Sequence, residues 1–258
     1  MHIPQSTIHN PKAHFVTRYP ILFEDDCLMV IHKPAGVLSH PNPEGHRKAR
    51  SAFEGAYHFQ DRRFDAPQGS LWLIHRLDQD TSGILLAAKS LEMAKRCRVY
   101  FEEQSIQKIY LALVAGSPSP SSCLWRDHLE KKTDYHKVRS VVRRKQPPNA
   151  ELRYKIQSSE FKIQNSCRFS LLEITLRTGR THQIRLQAAT RGHPVAGDRL
   201  YGDFGLNRSL RREIGLRRLF LHAFRLQFPH PKTQHTLILE APLPGELKAC
   251  LTRLSSQG

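Results

Sequence analysis

The chain is short of acid, of paired cysteines and of long apolar runs, and each shortage removes a class of function. Its 258 residues carry 23 Asp and Glu against 40 Lys and Arg, a formal charge of +17 with histidine neutral. So one-sided a charge disfavours cationic partners and suits polyanions, nucleic acid ahead of an acidic membrane surface. The five cysteines, Cys27, Cys97, Cys123, Cys167 and Cys250, show no C-x-x-C spacing. That argues against a disulfide framework or a thiolate zinc site, and the thiols are expected reduced and mostly buried as small hydrophobes. Among the 15 histidines there is no H-E-x-x-H and no paired Cys/His spacing, so no metal is expected. No run approaches the roughly 18 apolar residues of a membrane span, and Met1 to Arg18 lacks the apolar core of a signal peptide. A soluble, cytoplasmic protein with no membrane partner is the expectation.

What is present suits a folded domain. With 39% hydrophobic residues the chain has the material for a core. Residues 1–18 read as a loose extension and 19–258 as one domain. Ile21 to Phe23 and Leu28 to Lys33 read as strands, Pro34-Ala35-Gly36 as a turn, and Arg47 to Tyr57 as a helix. Leu71 to Ile74 and Ile84 to Ala88 are short apolar runs typical of buried strands. Ser90 caps a predicted helix ending near Gln104, with Glu92 in its first turn. Ile109 to Val114 and Phe169 to Leu176 read as strands, and the charged stretch Trp125 to Asn149 between them as a solvated loop. Thr181 caps a second predicted helix, stopped at Gly192. Strands at Phe224 to Phe228 and Thr236 to Leu239 precede a last helix from Glu246 to Leu254. Without a regular crossover rhythm the fold class is α+β, a mixed, largely antiparallel sheet with flanking helices.

Two segments concentrate chemistry. His75-Arg76-Leu77-Asp78 follows a strand and runs through Thr81-Ser82-Gly83 into the next, putting one carboxylate at a turn rich in backbone donors. Asp78 there is either a turn cap or a nucleophile, and spacing alone does not choose. Thr178 to Arg185 sets Arg180 and Arg185 at the start of a helix, where a guanidinium holds either a carboxylate or a phosphate. The Gly-rich turns Gly192 to Asp198 and Tyr201-Gly202 are weak signals by themselves.

Taken in order these segments, with Phe23 to Asp26, Val30 to Gly36, Lys108-Ile109-Tyr110 and Leu221-His222-Ala223, resemble the RluA-type family of RNA pseudouridine synthases from about Ile21 to Ala241. The resemblance implies isomerisation of a uridine in structured tRNA or ribosomal RNA, with no cofactor. It implies Asp78 as nucleophile or base, Tyr110 as the tyrosine packed on the target base, and Arg185 as the partner of the aspartate. Arg76 would help hold the gap left by the extruded nucleotide, Leu221 would belong to the apolar wall, and His75, Thr81, Arg180 and His182 would contact substrate. Gln187 departs from the family, many of whose members carry His there. Many relatives also have an N-terminal RNA-binding domain, which is not expected here. RNA selection is then expected from the catalytic domain, through Arg47 to Arg50, Arg143 to Lys145 and Arg208, Arg211, Arg212, Arg217 and Arg218, in a monomer. Two other classes stay in view: an RNA-assembly protein without turnover, and a hydrolase using a carboxylate pair such as Asp78 and Asp80.

Overall fold

The computed structural model describes residues 17–42, 50–134, 137–163 and 167–256. In chain order the elements are β1 (Ile21–Glu24), β2 (Leu28–Lys33), β3 (Ala56–His58), β4 (Arg63–Ala66), β5 (Gly69–Leu73), β6 (Ser82–Ala88), α1 (Leu91–Glu102), β7 (Gln107–Ala115), β8 (Ser122–Asp127), β9 (Leu129–Asp134), β10 (Lys137–Val142), β11 (Ala150–Ile163), β12 (Cys167–Leu176), α2 (Gln183–Ala189), α3 (Phe204–Glu213), β13 (Leu221–Pro229), β14 (Thr236–Glu240) and α4 (Gly245–Ser255). Twelve strands form one sheet in the order β3-β4-β5-β6-β13-β7-β12-β11-β8, with β2 joining β1 to β6 and β14 flanking β13; β9 and β10 form a separate hairpin. The expected α+β, largely antiparallel architecture is what the chain adopts, since among the described residues β13 with β6 is the one parallel pair of strands.

All seven residues of β6 are buried, as a continuous apolar run in the middle of a sheet should be. One edge of β6 pairs along β2, while the other is shared: β13 takes Ser82 and Gly83, and β5 takes Ala87 and Ala88. Between Leu73 and Ser82 the chain therefore leaves the sheet, and Asp78 lies on that excursion. Gly83, at φ +120°, permits the close pairing with β13, because a Cβ there would lie 2.2 Å from the Ala223 carbonyl oxygen. One buried cluster, which includes Leu77, Tyr110, Ile184, Leu221 and Ala223, lies beneath the excursion; another packs Leu113 and Phe220 against Leu247, Cys250 and Leu254 of α4.

Ser90 caps α1 by accepting the Met93 N–H at 3.2 Å. Several expectations need correction. No helix occupies the described part of Arg47 to Tyr57; β3 begins at Ala56, and residues 43–49, with most of the Arg47 to Arg50 cluster, lie outside the described residues. Residues 1–16 of the expected extension also lie outside them. The expected loop over Trp125 to Asn149 contains β8, β9 and β10, because cross-strand pairing stabilises a charged ribbon that has little periodicity of its own. Thr181 does not cap α2; His182 does, in the left-handed conformation at φ +53° and with no side-chain cap bond. α3 lies where no helix was expected, started by Asp203, which accepts the Leu206 N–H at 2.6 Å, and it carries Arg211 and Arg212 in its last turn.

Candidate active site

The excursion bearing Asp78 is clamped from the end of β2. The Ser39 hydroxyl accepts the Leu77 N–H and donates to the Leu77 carbonyl, both at 2.9 Å, and the Gly36 N–H reaches the Gln79 carbonyl at 2.8 Å. Lys33, fully buried, gives its ammonium protons to the carbonyls of Pro34, Val37 and Gln79 at 2.8–3.1 Å. Burial and the charge of Arg218 lower its pKa to about 7, while Asp78 and Asp80 pull it upward. Thr81 closes the turn by donating its N–H to the Asp78 carbonyl at 3.1 Å.

Arg185 of α2 meets that turn. Its Nη1 lies 3.2 Å from Asp78 Oδ2, while Nε and Nη2 make a bidentate pair with Asp198 at 2.7 and 2.8 Å. Asp198 also accepts the N–H groups of Leu200 and Tyr201, and the Tyr201 ring lies 5.4 Å from the guanidinium carbon. Gly197 brings Asp198 into this position: its φ is +77°, and a Cβ would stand 2.0 Å from the Arg218 carbonyl oxygen. Burial opposes charge on Asp198, yet the bonds and charge of Arg185 outweigh it and hold the carboxyl below its ordinary range. Burial likewise opposes charge on Arg185, and the two carboxylates raise its pKa in spite of it. The guanidinium is thus fixed in charge and direction, with Nη1 turned to Asp78, whose side chain is 25% exposed and open to a ligand.

Five more expected residues are placed as follows. His182 Nε2 lies 4.0 Å from Asp78 Oδ2 and its Nδ1 meets the Tyr201 hydroxyl at 3.0 Å; burial lowers its pKa against the upward pull of Asp78. Tyr110 is buried, and desolvation followed by the charge of Asp78 raises its pKa, so the phenol keeps its proton. Leu221 is buried in the same cluster as Tyr110. Thr81 is buried beside Asp78 with its hydroxyl unpartnered among the described residues. Arg76 is exposed and reaches His40 Nε2 at 3.1 Å.

Two expected residues are held elsewhere. His75 turns under α1, where Nε2 accepts the Leu86 N–H at 3.2 Å and the ring stacks on Phe101; burial and Lys108 lower its pKa to about 3. These contacts tie the ring to β6 and α1 through Nε2 and one face. Arg180 gives Nε to the Asn149 carbonyl at 3.1 Å, in a surface depression with Arg126 and Arg177. Gln187, where the family pattern departs, is wholly buried between Gln183 and Asp127. Asp198 and Tyr201 carry no role in the sequence reading; the signal was their Gly-Asp and Tyr-Gly spacing. Of the carboxylates a hydrolase would need beside Asp78, Asp80 is exposed two residues along the same turn, and Asp198 is fully buried behind Arg185 and cannot face a ligand.

A second titratable group, Asp25, Cys27 and His230, draws together at the β1–β2 turn. His230 Nδ1 accepts the N–H groups of Lys232 and Thr233, which assigns the proton to Nε2 and directs it to Asp25 Oδ2 at 2.8 Å. Burial raises the Cys27 pKa and keeps the thiol protonated. The Asp25–His230 bond ties two turns together.

Residues 27–190 match the family model described as RNA pseudouridylate synthase. The chain is 36% identical to ribosomal large subunit pseudouridine synthase C of Pasteurella multocida (strain Pm70), over 99% of this chain and 73% of that one. It is equally 36% identical to the Escherichia coli (strain K12) protein of the same name, over 91% and 69%. The solved structure of human RNA Pseudouridylate Synthase Domain Containing 4 superposes with a TM-score of 0.65 and 25% identity, over 92% of this chain and 93% of that one. These likenesses define the class, an isomerase that converts uridine to pseudouridine in RNA. Within it, the chain belongs to the RluA-type family of RNA pseudouridine synthases. No helix among the described residues is long and apolar enough to cross a membrane.

Proposed function

We propose that the substrate is a uridine in structured RNA of the large ribosomal subunit, that Asp78 is the nucleophile or base, and that residues 19–258 act as one monomeric catalytic domain in the cytoplasm. The names of the relatives support the choice of RNA. The observation that carries the assignment of Asp78 is its contact with an arginine whose other two nitrogens are bound to a buried carboxylate.

In the isomerisation the C1′–N1 bond breaks, the uracil turns, a C1′–C5 bond forms, and the hydrogen lost from C5 is balanced by one gained at N1. Asp78 serves this either by attack at C1′ or through a glycal. Arg185 keeps the carboxylate aimed in both routes. Tyr110 packs on the uracil and shuttles a proton from its protonated phenol, Leu221 walls the pocket, and Arg76 fills the gap left in the RNA. Taking the nucleotide out of its stack costs a few kcal/mol, offset by phosphate contacts to the basic surface and by aromatic stacking worth about 1–3 kcal/mol.

Asp78→Asn keeps the shape and the RNA-binding surface but removes the anion. Tritium release from RNA labelled at uridine C5 should fall to background while RNA affinity stays within about threefold of wild type. Turnover at a tenth of the wild-type rate or more removes Asp78 from the mechanism.

A further inference from the structure

The β3–β4 ribbon presents two unlike faces. On one, Arg63, Asp65, His58 and Ser70 neutralise each other: Arg63 Nε and His58 Nε2 lie 2.8 and 2.9 Å from Asp65, and Ser70 donates to it. On the other, the alternate residues are aromatic. Tyr57 pairs across the strands with buried Phe64, ring centroids 4.6 Å apart, and carries His40 stacked on it at 5.0 Å and 8°. Phe59 stands edge-on to both, 5.0 Å from Tyr57 and 6.0 Å from His40, and is 46% exposed.

This face is cationic. Burial lowers the His40 pKa, its Nδ1 donates to the Pro41 carbonyl, and its Nε2 accepts from Arg76, which holds that guanidinium at the edge of the His40 ring. Arg62 and Arg98 act on the Tyr57 hydroxyl together with Arg76, and Arg62 occupies the turn at φ +55°. Among the described residues none of these three arginines forms an ion pair with a carboxylate, in contrast to Arg63.

The face is also registered to Asp78. The residue before His40 is Ser39, which exchanges two hydrogen bonds with Leu77, and Arg76 is two residues from Asp78 in the chain. An exposed aromatic ring beside guanidinium groups that pair with no carboxylate among the described residues matches an unpaired nucleotide, with the base on the ring and the phosphate on the cations. An apolar protein partner would not use the cations.

We propose that His40, Tyr57 and Phe59, with Arg62 and Arg76, form a stacking site for an unpaired base of the RNA that neighbours the target uridine. The inference rests on the reading of this chain as an enzyme acting at Asp78, and it adds a second, sequence-tolerant contact that sets how the RNA is held.

The test compares wild type, Phe59→Ala and Phe59→Trp on a transcript of large-subunit ribosomal RNA, by filter binding and by single-turnover pseudouridine formation at saturating enzyme. Phe59→Ala should weaken binding about 5- to 150-fold, the range of one lost base stack. Its saturated rate should stay within about twofold of wild type, and Phe59→Trp should restore affinity. Wild-type affinity in Phe59→Ala, no recovery in Phe59→Trp, or a matching loss in the saturated rate each overturns the stacking site. If wild type forms no pseudouridine while Phe59→Ala still loses binding, the functional reading fails and the stacking site stands.

Discussion

Arg185 and Arg218 are both largely buried, with side chains 8% and 16% exposed, yet they are satisfied in opposite ways. Arg185 is gripped by the fully buried Asp198 and touches Asp78, and its pKa rises. Arg218 gives its protons to the Ser82 hydroxyl and to the carbonyls of Leu219 and Leu221; its carboxylate, Glu246, is 60% exposed, and burial lowers its pKa. The first arrangement aims a charge. The second staples the β6–β13 junction to α4, and no aimed charge is needed for that.

Breaking the aimed pair should have the largest effect. Asp198→Asn leaves Arg185 buried with only Asp78 as its anion, and it should lose about 3–5 kcal/mol of stability in urea unfolding. The freed guanidinium also misdirects Asp78, so turnover at permissive temperature should fall about 100-fold with RNA affinity nearly unchanged. Unchanged turnover would show that Asp198 is only structural.

The stapling network should show itself through pH. His222 Nδ1 meets the Ser82 hydroxyl, Nε2 meets the Ala241 carbonyl, and His32, Arg218 and Glu246 surround the ring; burial lowers its pKa to about 4. In the unfolded chain the ordinary value is 6.5. Between the two values the unfolded state binds more protons, so stability should fall as pH drops from 6.5 to 4, by about 3 kcal/mol for this group. His222→Asn should show a shallower fall over the same window. An identical slope in both would exclude His222 as the source.

The smallest effect belongs to the staple's exposed end. Glu246→Gln removes a solvent-screened pair, and the melting temperature and turnover should change by less than the equivalent of about 0.5 kcal/mol. A larger loss would make the two arginine networks alike.

Local chemistry made parts of this structure readable. The Ser90 cap, the apolar run of β6 and the strand of β12 follow from capping and burial patterns that operate over a few residues. The ribbon over 125–149, the entry to α2 at His182 and the helix α3 were misread or missed. Their stability comes from partners distant in sequence: β8 pairs with β11, and Ser140 of β10 binds Tyr201 and Thr181. For the candidate site, the motifs gave the residue types, but His75 and Arg76 could not be told apart by sequence, and only the fold turns one inward and leaves the other exposed.

The order of residues alone determined the excess of positive charge, the family motifs and most of the strands, because composition and short-range periodicity are properties of the chain itself. Tertiary structure alone decided that Asp78 meets Arg185 across 107 residues, and that Asp198 fixes that arginine. Hydrogen-bond direction and desolvation depend on what the fold brings within about 3 Å, which no spacing along the chain encodes.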